Sequence, residues 1–345
     1  MLELWSMQDQ TSQNKDSIYT NKFLWFNNSG VCELKHAQIK KSEYITWLEN
    51  KFVESIQIAQ ILENNDRICL PLSGGRDSLA LLYLLARTKH RLPSFSVIGV
   101  TVAPTVASIS DLKIASEAIH SLGIKDYHIL DASYVKQTMH LKSEFLTVMD
   151  RALSGQGRGV TISLWHGIMK ACIERFCREN KIAKIAYGYQ FEDLMASLLR
   201  SNLLGISFGE AMQKKNWGSF QLTFPLWSIT KKELTIYLSL IAPNHHSEQS
   251  NPTQYDRGDH NRDIHYFLAD TLSTLYPGIG YSLFTAYKEF NQRYGAHAKH
   301  FFNCNNCGAV FANSPLPNID INSRTLCSTC DYFMQINEIE LRESL

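Results

Sequence analysis

A short apolar run, a glycine turn and a second apolar run decide the fold: Arg67-Ile-Cys-Leu-Pro-Leu-Ser-Gly-Gly-Arg-Asp-Ser78. Residues 67–72 are mostly apolar over a length typical of a buried strand, and the segment from Ser78 to Arg87 has the apolar content of a packed helix. Two adjacent glycines between these runs mark a tight turn. The stretch therefore predicts a strand, a turn and a helix in direct succession.

The turn has the chemistry of a phosphate-binding loop. Its residues are Ser73, Gly74, Gly75, Arg76, Asp77 and Ser78. The glycines can adopt backbone conformations closed to other residues, and the amides at the start of the helix attract anions with the help of the helix dipole. The two hydroxyls add donors, the guanidinium adds a charge, and the carboxylate can hold a Mg²⁺ that bridges phosphates. An ordinary strand-to-helix turn is the alternative, and the signatures of Walker and dinucleotide loops are missing.

Strands and helices alternate on both sides of this loop. The predicted strands are 95–102, 127–130 and 182–187. The predicted helices are 42–63, 111–122, 133–153, 163–180 and 191–204, with a flexible glycine loop at 155–159. Alternation of this kind implies an α/β fold with a parallel sheet, helices on both faces and a ligand site at the carboxyl ends of the strands.

The remaining segments divide the chain into four predicted units: a loose arm (1–22) and helix within 1–65, the nucleotide-binding domain at 66–240, a loop and helical extension at 241–295, and a tail at 296–345. The nucleotide-binding domain ends with an irregular segment at 205–220, a strand at 221–226 and a helix to 240, opened by the capping box Thr230 to Glu233. The extension begins with a polar surface loop at 242–261, followed by helices at 262–275 and 281–293.

Composition excludes several classes of protein. With 345 residues, 44% hydrophobic and 19% charged, the chain is neither disordered nor collagen-like. Lys and Arg (34) nearly cancel Asp and Glu (33), so any nucleic-acid surface must be local. No apolar run reaches about 18 residues, and the polar N-terminus does not resemble a signal peptide. We therefore expect a cytoplasmic protein without a membrane segment.

Four of the eight cysteines form a metal-ligand pattern near the C-terminus. They are Cys304, Cys307, Cys327 and Cys330, two Cys-x-x-Cys pairs separated by nineteen residues. Such pairs give four thiolates to a tetrahedral Zn²⁺ at about 2.3 Å, and a closed site of this kind is structural. A redox pair is the alternative.

The segment from Arg293 to Phe302 mixes basic and aromatic residues, as either an RNA-facing stripe or a solvated helix end would.

The loop resembles the pyrophosphate loop of the N-type ATP pyrophosphatases. This resemblance implies an adenine nucleotide alpha-hydrolase-like (PP-loop) fold over about 66–240. It also implies an enzyme that cleaves ATP to AMP and pyrophosphate after AMP is attached to a substrate carbonyl oxygen. The family's adenine pocket corresponds to Val100-Thr101-Val102 at the end of the second strand, with Thr101 as the expected ATP-binding residue. Its Gly-His-x-x-Asp-Asp motif corresponds to Gly188 to Asp193, with Tyr189 and Glu192 as departures.

Within this motif the resemblance assigns Asp193, with Asp77, to the catalytic centre, where it would orient Mg²⁺ or the substrate. Simple capping of the next helix by Glu192 and Asp193 is the alternative.

The C-terminal third of the sequence indicates a more specific group within this family. Pro277-Gly278 and the following residues, with the cysteine pairs, are similar to tRNA 2-thiolation enzymes of the TtcA/TtuA type, which implies tRNA as substrate and a sulfur-donor protein as partner. The three cysteines that those enzymes carry outside the tail correspond here to Ile162, Trp165 and Asn251. We therefore expect no iron–sulfur cluster, with Trp165 either filling the core or stacking on a base.

The nearby Cys172 and Cys177 are five residues apart, which places them about 140° apart around a helix. This spacing is unsuited to holding one metal ion. We therefore expect both thiols in the core.

A second, N-terminal resemblance leaves other functions open. Gly30-Val31-Cys32 looks like the start of a zinc knuckle in N-acetyl sugar amidotransferases, although Lys35 replaces the second cysteine and His36 would have to substitute as ligand. One alternative function is therefore ammonia or amine transfer to a small-molecule carbonyl, with an ammonia-donor protein. Another is a nucleotide-binding protein that has lost catalysis. A homodimer is a further candidate assembly.

Overall fold

The computed structural model describes residues 17–26, 32–104, 109–156, 158–203, 213–243, 260–276, 279–294, 301–312 and 326–339. The predicted knuckle entry at Gly30, Asn251 and nearly all of the polar segment 242–261 lie outside the described residues. Cys32 and His36 lie in a strand of which only the backbone is described.

The elements occur in the predicted alternation. The strands are β1 (Ser17–Phe26), β2 (Cys32–Lys40), β3 (Asp66–Pro71), β4 (Phe95–Ala103), β5 (Tyr127–Asp131), β6 (Lys184–Ala186), β7 (Lys214–Trp217), β8 (Phe220–Thr223), β9 (Phe301–Asn303) and β10 (Val310–Ala312). The helices are α1 (Lys41–Ala59), α2 (Arg76–Thr88), α3 (Ile109–Ser121), α4 (Ala132–Met139), α5 (Phe145–Gln156), α6 (Arg158–Glu179), α7 (Phe191–Leu203), α8 (Lys231–Ile241), α9 (His260–Leu275), α10 (Ile279–Tyr294) and α11 (Ser328–Gln335).

Six strands form the main sheet in the order β5-β4-β3-β6-β8-β7. All neighbours pair in parallel except β7, which is antiparallel to β8. The predicted α/β class with a mostly parallel sheet is therefore confirmed. None of the described helices has the length and apolar character needed to cross a membrane.

Strand β3 separates two hydrophobic cores, because successive side chains of a strand point to opposite faces of the sheet. Ile68 and Leu70 face a core built with α1, α2 and α8, whereas Cys69 faces a core built with α4, α5 and α6. All three side chains are fully buried. Helices thus cover both faces, and α1 shares the core of the nucleotide-binding domain.

Helix boundaries between 132 and 179 differ from those predicted. The single helix expected at 133–153 is two helices, because His140 adopts the left-handed conformation (φ 53°) and ends α4. The expected loop at 155–159 is largely helical, since α5 continues to Gln156 and α6 begins at Arg158. Buried Ala152 and Leu164 hold both helices in one core, and this packing outweighs the weak helix propensity of glycine.

Five strands were not predicted from the sequence pattern: β1, β2, β7, β9 and β10. Residues 17–22, expected in a loose arm, begin β1, which pairs antiparallel with β2. The segment expected to be irregular contains β7, which turns back into β8 through Gly218 at φ 60°. β7 has no apolar run and β1 has one only at residues 23–26, so main-chain pairing with a neighbouring strand defines both.

Contact between α6 and α11 generates a stability prediction. A Cβ atom at Gly167 would meet the buried Thr329 Oγ1 and lie 3.1 Å from Thr329 Cβ. Because Thr329 cannot turn into solvent, we expect Gly167→Ala to lower the free energy of unfolding by about 1–3 kcal/mol. Urea denaturation measures this loss. A matched control is Gly155→Ala, because the methyl group would enter open space and helix propensity favours it. Equal stability of the two variants would contradict the described packing of the tail.

Candidate active site and cysteine cluster

The predicted phosphate loop lies at the carboxyl end of β3 and leads directly into α2. Gly74 has a φ of 72°, a conformation that favours glycine, and Gly75 is the N-terminal cap of α2. Ser73 Oγ accepts a hydrogen bond from the Gly75 amide at 3.2 Å, and Ser78 Oγ donates to the Gly75 carbonyl at 3.0 Å. These bonds fold the loop around the start of the helix, where main-chain amides can bind an anion.

Asp77 in this loop lies within electrostatic range of a second aspartate, Asp193. Asp77 Oδ1 is shielded from water and accepts no hydrogen bond, although Arg76 Nε lies 3.5 Å away. The pKa of Asp77 is raised first by burial and then by the negative charge of Asp193, while the cations Arg76 and Lys231 lower it. A shielded carboxylate oxygen without a donor, next to a second carboxylate, fits a hard divalent cation such as Mg²⁺.

Asp193 is fixed from two directions. Its Oδ2 accepts a hydrogen bond from the Gln190 amide at 3.1 Å, and its Oδ1 accepts one from the Tyr266 hydroxyl on α9 at 2.5 Å. The first bond is the helix-capping role considered as an alternative in the sequence. The electrostatic effect on Asp77 adds a role at the loop, so capping and site geometry coexist in one side chain.

Gly188 allows the end of β6 to approach α2 closely. A Cβ atom here would lie 3.1 Å from the Asp77 carbonyl carbon and oxygen and from the Ser78 amide nitrogen. The family resemblance implies a role for Gly188 in ATP binding, and the structure places this residue against the backbone of Asp77 and Ser78. It therefore sets the distance between the loop and the segment that carries Asp193.

Thr101 is nearly inaccessible to solvent, with 3% of its surface exposed. It lies in β4, on the β5 side of the loop, and its hydroxyl is 2.9 Å from the Tyr127 hydroxyl. The Thr101 side chain is therefore buried and hydrogen-bonded within the sheet.

Lys231 was not among the predicted site residues. Its amide donates a hydrogen bond to the Glu192 carboxylate at 3.0 Å, and its positive charge lowers the pKa of Asp77. Burial raises the pKa of Glu192 to about 8. The confirmed capping box Thr230 to Glu233 was the available signal. It located the start of α8 but could not show that this helix begins beside the loop.

The four predicted cysteine ligands converge in the tail. The sulfur atoms of Cys304, Cys307, Cys327 and Cys330 all lie within 4.8 Å of one another. The Cys327 amide donates to Cys304 Sγ at 3.3 Å, and Asn306 Nδ2 donates to Cys330 Sγ at the same distance. Gly308, at φ 70°, makes the knuckle turn. Thiolates that accept such hydrogen bonds fit a bound metal ion.

The other described thiols are separate from this cluster. Cys69, Cys172 and Cys177 are fully buried, and burial raises the pKa of Cys172 to about 12. Their predicted role in the core is confirmed.

No protein-family model matches the chain. A tRNA-cytidine(32) 2-sulfurtransferase from Hahella chejuensis is 27% identical over 146 residues, 42% of this chain and 46% of that protein. The tRNA 2-thiolation protein NcsA from Haloferax volcanii is 23% identical over 268 residues, 72% of this chain and 79% of that protein. The chain spans about half the length of the sulfurtransferases it matches.

One solved structure has a similar fold over nearly the whole chain. The U34-tRNA thiolase NcsA from Methanococcus maripaludis, described with its [4Fe-4S] cluster, superposes with a TM-score of 0.63 over 94% of this chain and 96% of that one, at 18% identity. This chain has the NcsA fold. The predicted resemblance to the tRNA 2-thiolation enzymes is therefore confirmed.

The positions aligned with the enzymes' additional cysteines lie on α6 where they are described. Trp165 is partly buried and packs against Phe145 with ring centroids 5.7 Å apart, which agrees with the core interpretation. Ile162 on the preceding turn is also partly buried. Neither side chain can bind iron with useful affinity.

Gly188 yields a prediction for the loop. We expect Gly188→Ala to weaken binding of MgATP by about tenfold or more, because the new methyl group would displace the backbone of Asp77 and Ser78. Isothermal titration calorimetry measures the affinity, and Gly155→Ala again serves as the matched control. An unchanged affinity, with normal thermal stability, would show that the loop tolerates this displacement.

Proposed function

We propose that the protein is an ATP-dependent tRNA thiolase. The observation that carries this proposal is the Ser-Gly-Gly-Arg-Asp-Ser loop at the end of a doubly buried strand, with Asp77 and Asp193 beside it, in a chain with the fold of NcsA. The similar sulfurtransferases support tRNA as the substrate. Adenylation is our extension from the loop chemistry.

The proposed reaction has two displacement steps. The carbonyl oxygen of a tRNA base attacks the α-phosphorus of ATP, and the bond to the bridging oxygen breaks to release pyrophosphate. Hydrosulfide then adds to the activated carbon and loses its proton to solvent. AMP departs with the former carbonyl oxygen, so C=S replaces C=O and no oxidant or reductant is needed.

Side chains and main-chain amides around the loop fit the first step, the attack on the α-phosphorus of ATP. The amides at the start of α2, with the Ser73 and Ser78 hydroxyls, would hold the pyrophosphate part of ATP. Asp77 and Asp193 would hold a Mg²⁺, which when bound neutralises phosphate charge. Lys231 adds positive charge on the same side and would stabilise the pentacovalent phosphorus.

We further propose zinc for the cysteine cluster. One tetrahedral ion with bonds of about 2.3 Å separates its sulfur ligands by about 3.8 Å, and the sulfur atoms of Cys307 and Cys327 are 3.8 Å apart. A four-iron cluster places iron and sulfide atoms between its ligands and so needs more widely spaced thiolates. Because Ile162 and Trp165 supply no thiol, sulfur would come from free sulfide or a donor protein.

An activity assay with bulk tRNA tests the proposed function. Purified protein, ATP, Mg²⁺ and sulfide should release pyrophosphate in a tRNA-dependent manner and produce a thionucleoside detectable by mass spectrometry. Asp77→Ala should lose at least about 100-fold of both activities, because the cation loses a ligand. Asp126→Ala is the matched control, since the Asp126 side chain is exposed and its carboxylate pairs with His128 away from the loop.

Other outcomes would support the alternatives. Pyrophosphate release that requires ammonia and an N-acetyl sugar would favour the amidotransferase. Tight MgATP binding without turnover on any acceptor would favour a nucleotide-binding protein without catalysis.

Metal analysis tests the cluster. We expect one zinc ion per chain and no iron, even after anaerobic purification. Cys304→Ser combined with Cys327→Ser should release the metal and loosen the tail without changing MgATP affinity, because the cluster packs in the core on the opposite face of β3 from α2. Cys172→Ser, which alters a thiol outside the cluster, should retain the metal. Stoichiometric iron with sulfide would refute the zinc assignment.

A further inference from the structure

A half-exposed aromatic side chain lies beside the phosphate loop. Tyr189 has 50% of its surface exposed. Its ring stacks on Phe224 with centroids 5.6 Å apart and planes within 7°, and on Tyr187 at 5.6 Å and 29°. Phe224 is buried, so it supports the tyrosine ring from within the protein. The result is a flat, rigid apolar surface that remains open to a ligand.

Sheet order places this ring on the side of the loop opposite to the expected adenine site. The loop follows the central strand β3. Thr101 belongs to β4 on one side, whereas Tyr189 follows β6 and Phe224 follows β8 on the other. Gly188, the residue before Tyr189, contacts the backbone of Asp77. A planar molecule on Tyr189 would therefore lie near the reacting phosphates without occupying the adenine position.

A lysine and two further aromatic rings extend from this surface toward the tail. Lys215 Nζ lies 5.7 Å from the Phe224 ring centroid and 4.9 Å from that of Trp217. Trp217 in turn packs edge-on against Phe301 of β9 at 5.3 Å. Aromatic rings alternating with positive charge are typical of surfaces that bind single-stranded RNA, where bases stack and phosphates pair with cations.

We propose that Tyr189 is the residue on which the target base of tRNA stacks while its carbonyl oxygen is adenylated, with Lys215 contacting the adjacent phosphate. This inference rests on the proposed function and specifies its acceptor side. The occupant is an unpaired base in a single-stranded loop, because a base has the planar π-face that matches the Tyr189 ring.

Three substitutions test the stacking. Tyr189→Phe keeps the ring and should retain wild-type kinetics with unmodified tRNA transcripts. Tyr189→Leu and Tyr189→Ala remove it, and each should lower kcat/KM for tRNA by roughly 5- to 100-fold, while MgATP affinity changes less than twofold. Tyr276→Ala is the matched control, because Tyr276 is exposed to a similar degree outside this surface. Melting temperatures verify that each variant folds.

Two further measurements report on the contact itself. Transcripts carrying 5-iodopyrimidines should cross-link on irradiation, and peptide mapping should locate the adduct at Tyr189. Lys215→Gln should weaken tRNA binding and reduce its salt dependence, because one phosphate contact is lost.

The outcomes separate this inference from the proposed function. If the wild-type protein thiolates tRNA and Tyr189→Leu and Tyr189→Ala match it, the stacking role is overturned and the function stands. Loss of MgATP affinity in these variants would also overturn it, by assigning the ring to adenine. If the wild-type protein neither binds nor modifies tRNA, the proposed function fails and the inference fails with it.

Discussion

Burial of β3 on both faces is the constraint on which the site depends. Ile68 and Leu70 anchor the strand to one core and Cys69 anchors it to the other, so the strand cannot shift without disturbing both. The phosphate loop emerges from the end of this fixed strand and continues into α2, whose residues Leu79 to Leu85 are almost all inaccessible to water. A loop held at both ends by packed elements can present its amides in one geometry, which suits the binding of phosphate groups.

The close approach of Gly188 to α2 also fixes the position of the segment that follows β6. Since the β6 end touches the backbone of Asp77, the segment bearing Tyr189 and Asp193 has a defined position relative to α2. Asp193 is then tied to α9 through Tyr266, and Glu192 to the start of α8 through Lys231. Four separate elements thereby meet at the loop, which concentrates both acidic and basic groups around one small volume.

Polar contacts with α6, β7 and α4 join the tail to the rest of the structure. The Val310 amide donates a hydrogen bond at 2.7 Å to Glu174, a fully buried carboxylate on α6, and Trp217 Nε1 donates to the Val310 carbonyl at 3.1 Å. Asn306 Nδ2 also donates to the Met139 carbonyl at 2.7 Å. These bonds connect the tail to α6, to the edge strand β7 and to α4. A closed metal site there would stabilise a surface adjoining the acceptor side, without taking part in the chemistry.

The sequence by itself determined the features that local patterns encode. A strand of apolar residues, a pair of glycines, a capping box and a Cys-x-x-Cys pair are each recognisable within a few residues. The β3–loop–α2 unit, the start of α8 and the four candidate metal ligands could therefore be predicted. Tertiary structure decided what depends on strand order and packing: the electrostatic coupling of Asp77 to Asp193 and Lys231, the extension of α5 to Gln156 and the start of α6 at Arg158, the strand β7, and the exposure of Tyr189. These features arise between segments far apart in the chain, and no spacing within one segment specifies which strand ends will meet.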